Sequence, residues 1–244
     1  MLQQPPFVSL SLWRYTQLPA KWWAFTQMGL APRKLAKAPG LHFGRLMGSG
    51  GGNGFSLRPN WGVYAYLGVW EDEAAARTFW AEHEWPQQAA SKASEQLHFW
   101  LRPVTSHGAW GGSNPFTRNG ALGDYDPQLP TAVLTRATIR TRKLPDFWRY
   151  VPQTSASVYD HPDRLLSLGV GEYPLFMQAT FSLWRSGRAM QDFAYRSEHH
   201  KQVVQLTRER NWYKEEMFTR FQLIGQEGSW GNLKTLPADS EQGL

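Results

Sequence analysis

Two adjacent histidines, His199 and His200, are the residues of this chain best placed to do chemistry. A neutral imidazole can ligate a metal, or take and give a proton near neutral pH. On a continuous helix Met190, Phe193, Ser197, His200, Val204 and Thr207 fall on one stripe at three- and four-residue spacing. His200 then points to an apolar interior, and His199, about 100° round the helix, meets solvent. A lone inward histidine is normally a satisfied core residue, and Ser197 as a cap would restart the helix and weaken this phase. Other metal spacings are poor. Glu82-His83-Glu84 and Glu198-His199-His200 lack a partner histidine four residues along, and no Gly-x-Ser-x-Gly elbow occurs. The run Gly48-Ser-Gly50-Gly51-Gly52-Asn53-Gly54 has no Lys-Ser/Thr after it and leads toward a strand. It reads as a strand connection bordering a pocket mouth rather than a phosphate loop.

Composition narrows the class of chemistry. The 244 residues include no cysteine, which excludes disulfides, iron–sulfur ligation and thiolate-held zinc or haem. A net charge of +6 invites an anionic partner, yet the basic residues cluster only loosely, at Arg33-Lys34-Lys37 and at Arg136, Arg140, Arg142 and Lys143. The aromatic string of an RNA-recognition strand is missing, so no nucleic-acid partner is expected. Thirteen tryptophans suit pockets and membrane interfaces as well as cores. The opening Met1-Leu-Gln-Gln-Pro-Pro has no basic or apolar signal region, and no run reaches the ~20 apolar residues of a span. A cytoplasmic address is the expectation.

The elements that must position these residues come in two sets. Trp70 opens W-E-D-E-A-A-A-R-T-F-W-A-E-H, and Trp184 opens W-R-S-G-R-A-M-Q-D-F-A-Y-R-S-E-H-H. Gly108-Ala-Trp110 is answered by Gly228-Ser-Trp230, and Leu18-Pro19 by Leu144-Pro145. The first set reads as strand Phe7–Tyr15, helix Pro19–Met28, strands Leu41–Met47 and Trp61–Trp70, helix Glu71–Glu84 stopped near Pro86, a short helical segment, and strand Gln96–Val104. The second reads as strand Ala132–Arg140, helix Pro145–Tyr150, strands Leu165–Val170 and Leu175–Trp184, helix Arg188–Glu209 and strand Glu216–Leu223. Each is βαββαβ, the ferredoxin-like unit. The expected fold is α+β: tandem duplicated ferredoxin-like domains forming a fused dimeric α+β barrel. Its parts are residues 1–116, a linker over 117–130, a second domain over 131–232 and a polar tail over 233–244.

The ordered blocks also carry a resemblance. Leu10-Ser-Leu-Trp-Arg14, Leu101-Arg102-Pro103, Leu134-Thr-Arg136-Ala-Thr-Ile-Arg140 and Phe147-Trp-Arg-Tyr-Val-Pro152 are four of them. Gly169-Val-Gly171-Glu172, Gln178-Ala-Thr-Phe-Ser-Leu-Trp184 and Trp212-Tyr-Lys-Glu-Glu-Met-Phe-Thr-Arg-Phe221 follow. Over almost its full length the chain resembles the spheroidene monooxygenase family of carotenoid ketolases. Asn211 stands where that family's pattern has glycine, and both residues accept the left-handed conformation that ends a helix. Gln87–Gln96 is more polar than the pattern.

The resemblance implies a haem-dependent monooxygenase that places a keto group on an acyclic carotenoid, using O2 and electrons from a ferredoxin-type donor. Two hydroxylations at one carbon would give a geminal diol that loses water to the ketone. Haem b would take His200 as its axial iron ligand, with Phe193 and Val204 beside it on the stripe. Arg45, Arg136 and Arg140 would face the propionates or polarise bound oxygen. A lipophilic substrate further implies peripheral contact with the inner face of a membrane, and the fold leaves room for a homo-oligomer. Two other readings share the scaffold: a haem dehydratase of the aldoxime dehydratase type, and a non-catalytic binder of haem or lipophile.

Overall fold

The computed structural model describes residues 4–51, 59–117, 120–155, 161–173, 176–196, 205–207, 209–231 and 233. Its first half contains β1 (Phe7–Arg14), α1 (Leu18–Leu30), α2 (Pro32–Leu35), β2 (Leu41–Gly50), β3 (Pro59–Trp70), α3 (Glu73–Glu82), α4 (Glu84–Lys92) and β4 (Glu95–Gly108). Its second contains β5 (Thr131–Ile139), α5 (Leu144–Ser155), β6 (Arg164–Tyr173), β7 (Met177–Trp184), α6 (Gly187–Arg196) and β8 (Tyr213–Gly228). All eight strands join into one closed antiparallel barrel in the order β1-β3-β2-β6-β7-β5-β8-β4. The expected barrel is therefore one continuous surface, with β1–β4 and β5–β8 joined edge to edge at β2–β6 and β4–β8.

Side-chain alternation divides each strand between two cores. Val8, Leu10 and Leu12 of β1 point into the barrel, among Leu67, Phe99, Leu134, Phe181 and Phe221. Phe7 and Trp13 point outward, into an aromatic layer with Tyr66, Trp70, Phe79, Trp85 and Trp100 under the first-half helices. Both faces of β1 are buried, so the strand needs apolar bulk on each. Ring pairs bridge the halves inside the barrel: Phe99 of β4 meets Phe181 of β7 with centroids 5.4 Å apart.

The helix expected over Glu71–Glu84 is α3, which ends at Glu82, and the short helical segment expected before the Gln96 strand is α4. Asp72 caps α3 by accepting the Ala75 N–H at 2.8 Å. His83 then turns extended, and its Nδ1 accepts the Trp85 N–H at 3.1 Å, which starts α4. Pro86 sits in the first turn of α4, where its missing N–H leaves no bond unmade. It does not stop the helix as the sequence suggested. Asn211 has φ 50°, the left-handed conformation expected of it, just before β8.

The barrel closes unevenly. β4 and β8 pair from Leu97↔Gly228 to Gly108↔Met217, whereas β2 and β6 share only Gly48↔Gly171 and Ser49↔Val170. Tryptophans close its two ends by one device. Gly108 and Gly228 have φ of 89° and 90°, and any Cβ there would strike the Glu216 or Gln96 carbonyl. Only glycine lets each strand end cross its neighbour so closely. Trp110 and Trp230 follow, and both sink into the interior cluster. Because β4 and β8 run antiparallel, these indoles enter from opposite ends.

One interior shared by both halves has a thermodynamic consequence. Residues 1–116 alone would expose the inner faces of β1–β4 and the long edge of β4. That fragment should be aggregated or molten, with no sharp thermal transition by circular dichroism. A soluble, sharply melting fragment would contradict the shared interior.

Candidate functional site

Beneath Trp110 lies a cluster of opposite charges. Arg45 on β2 and Arg136 on β5 share the inward phase of Met47 and Leu134, so both enter the barrel end rather than facing the helices. Between them sits Glu172 on β6. It meets Arg45 Nε at 2.6 Å and Arg136 at 3.7 Å, and it accepts the Trp110 indole N–H at 2.8 Å. Glu215 on β8 pairs with Arg136 and accepts the N–H groups of Gly111 and Gly112 at 3.0 and 2.7 Å. Arg136 is only 3% exposed, so its charge depends on both carboxylates.

The opposite end has a simpler version. Arg14 lies 4.6 Å over the Trp230 ring, pairs with Glu95 at 3.2 Å, and Glu95 accepts the Gly231 N–H. Arg136 lies 5.5 Å from the Trp110 ring centre in the same manner. An arginine, a carboxylate and a glycine N–H thus hold each closing tryptophan. Arg45 and Glu172 extend this set at the Trp110 end, beside the weak β2–β6 seam.

A cleft of about 190 Å³ opens outside that seam. Its floor is Gly48, Gly50 and Gly171, and Phe25, Met28, Trp61, Tyr64 and Tyr173 wall it. Gly48 to Gly50 are part of β2 itself, and Gly52 to Gly54 lie outside the described residues. Arg140 is apart from Arg45 and Arg136. It is exposed and lines a second cleft with Arg142, Lys143 and Lys214, bordered by Tyr173 and Phe176.

The outer face of β5–β8 differs from that of β1–β4. Strand pairing sets Phe218, Thr135, Thr180 and Gly169 in one row, and Arg220, Val133, Ser182 and Ser167 in the next. Thr135 is exposed although it lies mid-strand between buried Leu134 and Arg136. Arg220 Nε and Ser167 Oγ are buried with no hydrogen-bond partner among the described residues. On the first half the corresponding face is packed with indole and phenol rings; here small side chains form a shelf. Phe193 borders it, with its ring 5.1 Å from Trp184.

Arg45 and Arg136 therefore share one cluster, Arg140 stands elsewhere, and Phe193 is across the sheet from the first two. His200, Val204 and His199 lie outside the described residues. Among the described residues no group of three or more His, Cys, Asp or Glu could hold a metal ion. Glu172, Glu215 and Arg220 escaped sequence reasoning. The two glutamates carried one signal, a charge in a strand whose neighbours two residues away are Val170 and Pro174, or Tyr213 and Met217; Arg220, between Phe218 and Gln222, carried none.

Burial alone would raise the Glu215 carboxyl, but the Gly111 and Gly112 N–H groups and Arg136 outweigh it and hold it below its ordinary 4.5. A depressed carboxyl stabilises the fold above pH 4.5, and that contribution fades as pH falls through the folded value. Glu215→Gln should lower stability by about 2 kcal/mol at neutral pH, less than a fully buried pair would cost. It should also flatten the loss of stability below pH 4.5. Urea melts at neutral and acid pH check both; an unchanged acid slope would mean that Glu215 is not holding Arg136.

No family model matches this chain. It is 38% identical over 225 residues to spheroidene monooxygenase of Rhodobacter capsulatus, covering 92% of this chain and 93% of that one. Spheroidene monooxygenase of Cereibacter sphaeroides is 35% identical over 91% of this chain and 68% of its own. That of Rubrivivax gelatinosus is 32% identical over 86% and 80%. Among solved structures, a crystal structure of aldoxime dehydratase aligns with a TM-score of 0.59 at 12% identity, over 91% of this chain and 82% of that one. A second, of OxdRE with butyraldoxime, gives 0.57 at 10% identity, over 91% and 80%. The likeness to these two is one of fold.

Proposed function

Because the chain belongs to the spheroidene monooxygenase family, we propose that it is a carotenoid monooxygenase that inserts a keto group into an acyclic polyene. The observation that carries this reading is identity of 32–38% spread over 86–92% of the chain. We read the halves as tandem ferredoxin-like copies, 1–116 and 131–232, and the chemistry as the work of the second. Support comes from the repeated element order and from a repeated ring pair, Trp70–Phe79 at 4.8 Å and Trp184–Phe193 at 5.1 Å. A residue pattern kept in both copies serves the fold, and what differs is free for chemistry.

The shelf of β5–β8 suits a flat group such as haem b. Thr135, Thr180 and Gly169 would lie beneath it, and Phe193 and Phe218 at its edge. His200 is the proposed axial ligand. Arg220, with its orphaned Nε on the same face, suits a carboxylate of that group better than Arg45 or Arg136, whose charges are already taken up by Glu172 and Glu215. Haem held there would supply the activation of O2, with electrons from a ferredoxin-type donor. The chain's own tasks are to ligate, to neutralise the carboxylate, and to keep water from the polyene with Trp184, Phe193 and Phe218. A substrate of this kind would be collected from a membrane by peripheral contact.

The reaction itself is the first test. The haem-loaded protein, given an excess of reduced ferredoxin as the source of two electrons per O2, an acyclic carotenoid in detergent and isotopically labelled O2, should yield a product heavier by one labelled oxygen and lighter by two hydrogens. Turnover without oxygen uptake would replace this reading with a dehydratase. The ligand is tested by spectrum. His200→Ala should abolish the Soret band on haem addition while His199→Ala keeps it, with circular dichroism unchanged in both. A wild-type spectrum in His200→Ala would remove that histidine from the site.

A further inference from the structure

We propose that one face of the protein, running from α1 across the β2–β6 seam to the turn before α5, docks on the surface of an anionic lipid bilayer. The choice of a bilayer rests partly on the carotenoid reading; the surface itself is an observation of this structure.

Eight large apolar side chains are exposed among the described residues, and seven of them belong to this face. Leu18, Trp22, Phe25 and Leu30 stand on the outer side of α1 at 80%, 68%, 41% and 65% exposure. Trp61 continues the patch: rings pair Trp22–Phe25 at 5.8 Å and Phe25–Trp61 at 4.9 Å. Tyr173 shares the seam cleft with Phe25 and Trp61, and shares the next cleft with Phe176. The opposite side of α1 is apolar as well, since Ala20, Trp23, Ala24, Met28 and Ala31 pack on the first-half aromatic layer. A helix apolar on both sides needs an apolar phase on both. A contiguous patch of this kind marks an interaction surface.

Charge selects the occupant. The first 70 residues of the chain contain seven lysines and arginines and no aspartate or glutamate. The other 174 residues contain 19 basic and 20 acidic residues, close to balance. Arg33, Lys34 and Lys37 follow α1 and are exposed. At the far margin Arg140, Arg142, Lys143 and Lys214 line the second cleft without an acidic side chain. The one carboxylate in either lining, Glu172, is held by Arg45 and Arg136.

Cations flanking exposed indoles match a bilayer interface, where rings enter the headgroup layer and lysine and arginine meet anionic lipid. A second copy fits poorly, because a two-fold contact would press cations against cations. Among the described residues no helix is long and apolar enough to cross a membrane, so α1 would lie in the interface plane. The seam cleft then opens toward the acyl chains, where a lipophilic substrate resides.

The test uses the full chain, with vesicles of phosphatidylcholine alone or mixed with phosphatidylglycerol. The protein should cosediment with the anionic vesicles, at least tenfold more weakly with the neutral ones, and progressively less as salt rises. Arg33→Glu/Lys34→Glu/Lys37→Glu and Leu18→Ser/Trp22→Ser should each weaken binding at least about tenfold with circular dichroism unchanged. Leu122→Ser, exposed but off this face, should bind as the parent does. Binding that ignores both multiple variants overturns the proposal, as does no binding to either vesicle. A lipid-free dimer that the Leu18→Ser/Trp22→Ser variant dissociates would give the face to a second copy and overturn it too. Turnover on detergent-dispersed carotenoid separates the two claims. Patch-dependent binding without turnover would leave the docking face standing and reject the function, and turnover without binding would do the reverse.

Discussion

A closed barrel of eight strands encloses about the space its own inward side chains require. Here Phe99, Phe181, Phe221 and their aliphatic neighbours fill it, and Trp110 and Trp230 close it from opposite ends. No ligand the size of a polyene or a macrocycle can be seated inside without displacing the core that both halves share. In the reading proposed above, a bound flat group would therefore lie on an outer face of the sheet. The first-half face is taken up by Trp13, Tyr66, Trp70, Trp85 and Trp100 under its helices. Among the described residues the outer face of β5–β8 carries small side chains instead, with Thr135 exposed at mid-strand, and that contrast is what supports the proposed cofactor site.

The same constraint decides what the arginines do. Both ends of the barrel must turn an indole inward, and each does so with an arginine over the ring and a carboxylate accepting glycine N–H groups. At the Trp110 end the set is larger, because the β2–β6 seam has only two residue pairs and Arg45–Glu172 spans it in place of a longer ladder. The exposed apolar patch proposed to meet lipid lies outside the seam, and the shelf proposed for the cofactor lies farther round the barrel.

Much of the fold was legible in the sequence because periodicity is a local property. The alternation of Phe7–Arg14 assigned Val8, Leu10 and Leu12 to one face and Phe7 and Trp13 to the other, and the structure divides them so. Asn211, standing where the family's pattern has glycine, was expected to end a helix in the left-handed conformation, and its φ of 50° is in that region. Pro86 misled, since whether a proline stops a helix or starts one depends on the cap before it, and His83 is an unusual cap. The site was less legible. Nothing local tells that Arg136 meets Glu215, 79 residues away, or that Glu172 lies between two arginines from different halves. Arg220 was passed over because an outward arginine in a strand normally reaches water, and only the strand order shows it beside Val133.

The most direct test of this division of labour fills the shelf without touching a ligand or a charge. Thr135 is exposed at mid-strand on the outer face, and tryptophan is a good strand former. Thr135→Trp should fold and melt like the parent, because Thr135 is exposed and its indole would lie on a face with small side chains among the described residues. If the shelf is where the flat cofactor lies, haem titrated into that variant should keep the broad Soret band of free haem, while the parent gives a sharpened, shifted and saturable one. A variant that stays folded and takes up haem as the parent does would place the site elsewhere and contradict the account.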